Sequence, residues 1–280
     1  MSDARETDRG RDSNLPLFCA QGGRGLAAEA LGVRYGSRTA LGGVSLEVRP
    51  GTHTAVVGPN GSGKSSLLLA LKGVVRPSEG RVVLEGEPLG GIDPRVGLVL
   101  ANPEDQGVAP VVEDDVAFGL EYLGLPPAEL EERVRESLRT VGLLECRARP
   151  VHTLSGGQLQ KLALASVWAL GCRYLLLDEA TSMLSPWERD SLMSVLSSLG
   201  DQGVGVVHVT HQAEDLLWAD RVLALDGGEV VFYGTVEGFF AWPGCPWEKP
   251  LVQALVEHLD AQEMQRPSYP ELVAWLGGGR

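Results

Sequence analysis

From Leu26 onward the chain alternates short apolar runs with breaks rich in Gly and Pro. LAAEALGVRY (26–35), LGGVSLEV (41–48) and THTAVVG (52–58) have the composition of strands. The pattern changes at GSGKSSLLLALKG (61–73), which predicts a helix stopping at Gly73. RVVLEGEPL (81–89) and VGLVLAN (96–102) return to strand character. VVEDDVAFGLEYLG (111–124) and PPAELEERVRESLRTVGL (126–143) predict helices. In the second, Leu130, Val134, Leu138 and Val141 recur at helical spacing, and Pro126–Pro127 suits a helix start.

A further helix opens at LSGGQLQKLALA (154–165) and runs to about Leu170. YLLLDEA (174–180) is an unbroken apolar run ending in two carboxylates, the pattern of a strand buried on both faces. A helix (186–199), a strand GVGVVHVT (203–210), a short helix (212–219) and a hairpin around Asp226–Gly227–Gly228 follow. Strands alternating with helices predict an α/β fold on a mostly parallel sheet. Residues 1–25 mix Arg, Asp, Ser and Gly with little apolar periodicity and read as a flexible tail. PGCP (243–246) reads as a linker. Leu251, Leu255 and Leu259 then mark one amphipathic helix, and Tyr269 to Leu276 a second. Residues 241–280 are thus expected to form a helical extension, packed on the core or held against a partner. The chain has no internal repeat.

At 280 residues the chain can bury a large core. No run approaches the ~18 apolar residues of a membrane span. The N-terminus lacks the apolar centre of a signal peptide, so a cytoplasmic protein is expected. A net charge of −13 argues against a nucleic-acid binder, which needs a basic stripe to neutralise phosphates. Cys19, Cys146, Cys172 and Cys245 form no CxxC pair, so a thiolate metal site or a disulfide framework is not expected.

Candidate chemistry begins at Gly58-Pro59-Asn60-Gly61-Ser62-Gly63-Lys64-Ser65, which fits G-x-x-x-x-G-K-[ST] between a strand and a helix. Backbone N–H groups of such a loop curl round a β-phosphate. Lys64 neutralises β/γ oxygens, the Ser65 hydroxyl ligates Mg²⁺, and Ser66 follows in the same helical turn. Asp178, at the end of its strand, suits the Mg²⁺ shell, and Glu179 suits polarisation of an attacking water. A helix N-cap is the plainer role for such a carboxylate pair. Ser155, Gly156 and Gly157 open another helix, whose free N–H groups and dipole make a second phosphate cradle.

The P-loop, LSGGQ (154–158), the DEATS strand end and a later histidine in VTHQ (209–212) occur in the order of ATP-binding cassette (ABC) ATPases. Residues 26–240 resemble that family. The resemblance implies a P-loop α/β cassette with an antiparallel β subdomain and a helical signature subdomain at about 102–170. It also implies an ATPase using ATP and Mg²⁺. Two such cassettes pair head to tail, and Ser155, Gly156, Gly157 and Gln158 would then bind the partner's nucleotide. By the same resemblance Tyr35 stacks on adenine, and His211 reaches the γ-phosphate and joins Glu179 and Lys64 in catalysis. A strand-end tyrosine and a surface histidine capping a helix are the plainer alternatives.

Two positions depart from the family pattern. The glutamine expected before the N-P pair is Ala101, with Asn102 and Gln106 as nearby substitutes. The aspartate expected after DEATS is Ser185. Ala101 would affect the chain's own nucleotide and Ser185 the partner's, which favours a heterodimer with two unequal sites over a homodimer. NPEDQGVAPVVEDDVAFGLEYLGLP (102–126) and ATSMLSP are similar to cassettes of energy-coupling factor transporters, importers of vitamins or of cobalt and nickel. That resemblance implies a transmembrane coupling subunit, a substrate-binding membrane component, and residence on the cytoplasmic face of the membrane. Val111, Val112, Val116, Phe118 and Leu120 are expected to line a groove for the coupling subunit, with Glu113, Asp114 and Asp115 offering charge. It also implies that the C-terminal helices help hold two cassettes together. Two other functions stay open: a nucleotide-binding partner that does not turn over, and an ABC ATPase acting outside transport.

Overall fold

The computed structural model describes residues 25–248, so the expected N-terminal tail and the helices beyond Trp247 lie outside the described residues, apart from Gly25 and the short stretch reaching Glu248. In chain order the elements are β1 (Leu26–Tyr35), β2 (Arg38–Val48), β3 (His53–Val57), α1 (Lys64–Leu71), β4 (Glu79–Leu84), β5 (Glu87–Pro88) and β6 (Val96–Val99). There follow α2 (Val112–Glu121), α3 (Pro127–Thr140), α4 (Gly156–Ala169), β7 (Tyr174–Asp178), α5 (Pro186–Asp201), β8 (Gly205–Val209), β9 (Arg221–Asp226), β10 (Glu229–Gly234) and α6 (Val236–Ala241).

One sheet is antiparallel, in the order β2-β1-β4-β5. The other runs β10-β9-β3-β8-β7-β6 and is parallel except for β10 at its edge. YLLLD is buried at its first four positions because strands flank it on both edges and helices cover its faces. The expected α/β cassette, with an antiparallel subdomain and a helical lobe, is the observed architecture.

Three local readings differ. RVVLEGEPL is two strands, because Glu85 and Gly86 both turn with positive φ (53° and 94°). The short helix expected at 212–219 is present as a 3-10 helix, Ala213–Trp218. VEGFFA forms α6, which the sequence pattern did not predict, and it buries Phe239 completely. Trp242, Cys245 and Trp247 pack against that cluster, so the segment read as a linker is partly docked on the core.

The helical lobe joins α2, α3 and α4 around Leu138, Leu162 and Leu164. Val112, Val116 and Leu120 are fully buried in this core and line no groove, because α2 turns that face onto α3 and α4. Of the expected lining residues Phe118 is exposed, joined by Tyr122 and Leu123 just beyond the end of α2, with the Phe118 and Tyr122 rings edge to face at 5.6 Å. Asp115 does not offer its charge outward either. It is buried, and Oδ1 accepts hydrogen bonds from the Val108 and Ala109 amides at 2.7 and 3.0 Å. The Ser166 hydroxyl donates to Oδ2 at 3.0 Å, so this carboxylate ties the loop before α2 to α4.

Candidate active site

The strand β3 delivers the chain into the loop 58–63, and α1 starts immediately after it. Gly63 caps α1 with φ +104°, and a Cβ there would stand 2.5 Å from the Ala40 carbonyl. Only glycine allows that turn, so the loop closes tightly against β2. Lys64 is almost fully buried and donates to the Gly58 and Pro59 carbonyls at 2.8 and 3.0 Å. Burial holds its amine below the usual lysine range, with the charges of Glu179 and Asp178 opposing. Ser62 is buried too, its hydroxyl without a hydrogen bond.

Asp178 ends β7 beside this loop. Burial pushes its carboxyl up; the Ser65 hydroxyl, hydrogen-bonded to it, works the other way, and the adjoining Glu179 charge reinforces burial. Glu179 sits in the left-handed region with φ +54°. Its amide donates to the Val209 carbonyl at 3.0 Å, and its Oε1 lies 2.9 Å from His211 Nε2. The parallel pairing of β7 with β8 produces this meeting, since it aligns Asp178 with Val209, two residues before His211.

A cleft of about 520 Å³ opens beside these groups, with Asp178 and His211 outside its lining. Tyr35, Asn60, Gly61, Lys64, Ser65 and Glu179 line it, together with Gly63 and Ser66. Tyr35 is half exposed. Arg38 and Ala40 also line the cleft and were not singled out from the sequence. A basic residue three positions after Tyr35, at the start of β2, was the available signal.

Among the described residues, none of Ser155, Gly156, Gly157 and Gln158 lines the cleft. They start α4, where Ser155 and Gln158 form a reciprocal capping box. Against that N-terminus stands Glu188, also absent from the sequence-based site. Ser155 Oγ donates to Glu188 Oε1 at 3.2 Å, and a Cβ on Gly157 would meet that oxygen at 2.6 Å. The other Glu188 oxygen accepts from the Ser185 hydroxyl at 2.8 Å and the Ser185 amide at 3.2 Å. These bonds, with those from Ser155 and the Gly157 amide, hold the Glu188 carboxyl below the usual range. Ser185 is therefore the N-cap of α5 in a second capping box, and SPWE was readable as one.

The two substitutes for Ala101 are both engaged elsewhere. Gln106 accepts from the Leu100 amide at 2.6 Å and donates to the Leu98 carbonyl at 3.1 Å, which pins it to the end of β6. Asn102 caps a 3-10 turn by accepting from the Glu104 amide. Neither lines the cleft.

The ABC transporter family model matches residues 41–182. The chain belongs to this family. Energy-coupling factor transporter ATP-binding protein EcfA1 of Symbiobacterium thermophilum is 42 % identical over 232 residues, covering 77 % of this chain and 81 % of that one. Cobalt import ATP-binding protein CbiO of Syntrophus aciditrophicus is 40 % identical over 200 residues, covering 69 % and 71 %. A solved structure of cbiO1 from Clostridium perfringens, part of the ABC transporter complex cbiONQ, superposes with a TM-score of 0.76 at 29 % identity. It covers 84 % of this chain and 96 % of that one. Within the ABC family this chain is an ATP-binding, ATP-hydrolysing subunit of the energy-coupling factor and cobalt-importer type.

Proposed function

We propose that the cleft holds ATP with Mg²⁺, that Glu179 and His211 carry hydrolysis, and that the Ser155–Gln158 helix start serves the nucleotide of a second cassette. One observation carries this reading: the starts of α1 and α4 are two separate helix N-termini, of which only that of α1 lines the cleft. Two copies or two paralogues placed head to tail give each a use. Ser65 and Asp178 are adjacent oxygen donors beside the loop, a set that suits a hard divalent ion. Bound there, Mg²⁺ would shield the phosphate oxygens. Tyr35 stacks on the base, Lys64 leaves the loop carbonyls for the phosphates, and Glu179 accepts a proton from the attacking water while His211 holds its carboxylate in place.

The chain works at the cytoplasmic face of a membrane, driving an importer of vitamins or transition-metal ions through a transmembrane coupling subunit and a separate substrate-binding component. Among the described residues no helix is long and apolar enough to cross a membrane itself. A cleft of about 440 Å³ between the loop 103–110 and α4 has room for about one turn of a partner's coupling helix. The exposed Phe118, Tyr122 and Leu123 give the lobe a second apolar contact. A heterodimer is favoured because Gln106 and Asn102 are engaged away from the cleft, while Ser185 stands with the signature. The two departures thus fall on different sites of a pair. The same engagement of Gln106 favours, as second reading, a cassette with weak turnover of its own.

Magnesium-dependent ATP hydrolysis, measured against concentration of the purified chain with Glu179→Gln as control, tests this. Turnover rising more steeply than linearly, and lost in the control, supports pairing of the chain with itself and overturns the heterodimer. ATP binding without turnover supports an obligatory second cassette. Linear turnover that survives Glu179→Gln refutes the whole assignment.

A further inference from the structure

Behind the Glu179–His211 pair lies a buried polar cluster, none of whose residues lines the cleft. The carboxylate of Asp215, in the 3-10 turn after β8, is 1 % exposed. Around it stand Thr181, Thr210 and His208, all buried, and Arg189 from α5. A carboxylate taken out of water persists only where donors and positive charge replace its hydration. Here a single oxygen, Oδ2, receives both hydroxyls. Thr181 donates to it at 2.7 Å, and Thr210 donates through a short hydrogen bond. Arg189 Nε approaches the other oxygen at 3.8 Å, and His208 Nε2 lies 3.9 Å from Oδ2.

The two donors occupy telling positions. Thr181 follows Glu179 by two residues; Thr210 directly precedes His211. Thr210 Oγ1 also accepts from the Gln212 amide at 3.0 Å, so its hydroxyl fixes the backbone on both sides of His211. Glu179 needs such support, because a left-handed glutamate persists only where its surroundings over-determine the backbone. One anchor therefore ends two chain segments whose side chains, Glu179 and His211, meet 2.9 Å apart.

We infer that Asp215 is a positioning residue for hydrolysis, clamping Thr181 and Thr210 to one carboxylate oxygen so that Glu179 and His211 stand in register. The inference rests on the roles assigned to Glu179 and His211. It assigns Asp215, Thr181 and Thr210 no contact with nucleotide.

The test separates the hydroxyls from the packing. Thr181→Val and Thr210→Val keep the side-chain shape and remove the donor; Thr181→Ser and Thr210→Ser keep the donor and remove a buried methyl. Both kinds of variant cost stability, so stability does not discriminate between them. Turnover and ATP affinity are measured on the full chain, with its partner cassette where turnover needs one. Each Val variant is expected to lower kcat by roughly tenfold or more, since small misplacements of catalytic groups are costly in rate. The dissociation constant for ATP should stay within about twofold, because the loop 58–65 is untouched, and the Ser variants should keep wild-type kcat. Val variants with wild-type kcat, or Ser variants as slow as the Val ones, overturn the inference. Glu179→Gln runs alongside. If it is inactive while the Val variants are active, only the positioning role falls. If it turns over normally, the assignment of Glu179 falls, and the inference with it.

Discussion

The backbone of Glu179 gives a prediction whose sign is unusual. In most ordered positions replacing Ala by Gly destabilises a protein, by about 1 kcal/mol within a helix. At position 179 the order should reverse, because the residue sits at φ +54°. A Cβ in the left-handed region costs about 1–2 kcal/mol. Glycine avoids that cost but loses roughly 0.5–1 kcal/mol more chain freedom on folding. The difference leaves Glu179→Gly more stable than Glu179→Ala by about 0.5–1 kcal/mol. Comparing these two variants, rather than either with wild type, removes the contact to His211 and the repulsion of Asp178 from both sides. The assay is urea denaturation of the two chains without nucleotide, with a melting difference of about 2–4 °C per kcal/mol as a check. Both variants should be inactive, since neither carries the carboxylate. A Glu179→Gly chain less stable than Glu179→Ala would falsify the claim that this carboxylate is held on a strained backbone.

Three further outcomes are expected. Glu188→Gln keeps one acceptor oxygen for Ser155 or Ser185, replaces the other with an amide donor, and removes the negative charge from the start of α4. ATP-driven association of cassettes should tighten by about two- to fivefold, the worth of one charge at a helix end, and unchanged association in analytical ultracentrifugation refutes the seat. Tyr35→Ala should weaken ATP binding by 1–3 kcal/mol, typical of a lost base–aromatic stack, while Tyr35→Phe binds normally; fluorescence titration distinguishes them. Burial holds the His208 imidazole below its ordinary value, with Asp215 opposing and Arg189 reinforcing. The unfolded chain therefore takes up a proton first as pH falls, so stability present above about pH 6.5 is lost below it, at up to ~1.4 kcal/mol per pH unit for one proton. Urea midpoints at pH 7 and pH 5.5 should show that slope, and His208→Gln should flatten it.

Much of the cassette was legible along the chain because its signals are local. A glycine-rich turn between an apolar strand and a helix reports its own geometry, so Gly58 to Ser66 were placed without any tertiary information. The run YLLLDEA likewise declared a strand buried on both faces with Asp178 at its end. The capping boxes at Ser155 and Ser185 follow from residues three apart. Where the pattern was misread, the deciding contacts were also distant. VEGFFA has too few residues to show a helical period, and it folds because Phe239 finds a pocket beneath β9. Val112 and Val116 have the character of either a groove or a core, and only the approach of α3 and α4 buried them.

What the sequence determined by itself was therefore the set of parts: the phosphate loop, the carboxylate pair, the signature turn and the order in which they occur. The tertiary structure decided which parts meet. It set Glu179 against His211 through the pairing of β7 with β8, and it gathered Thr181, Thr210 and Asp215 around one oxygen. It also closed Glu188 onto Ser155 across a 33-residue separation, and it used up Gln106 on the end of β6. Local propensity acts over a few bonds, whereas hydrogen bonds and burial act through space. Residues far apart in sequence acquire their roles only once the sheet has brought them together.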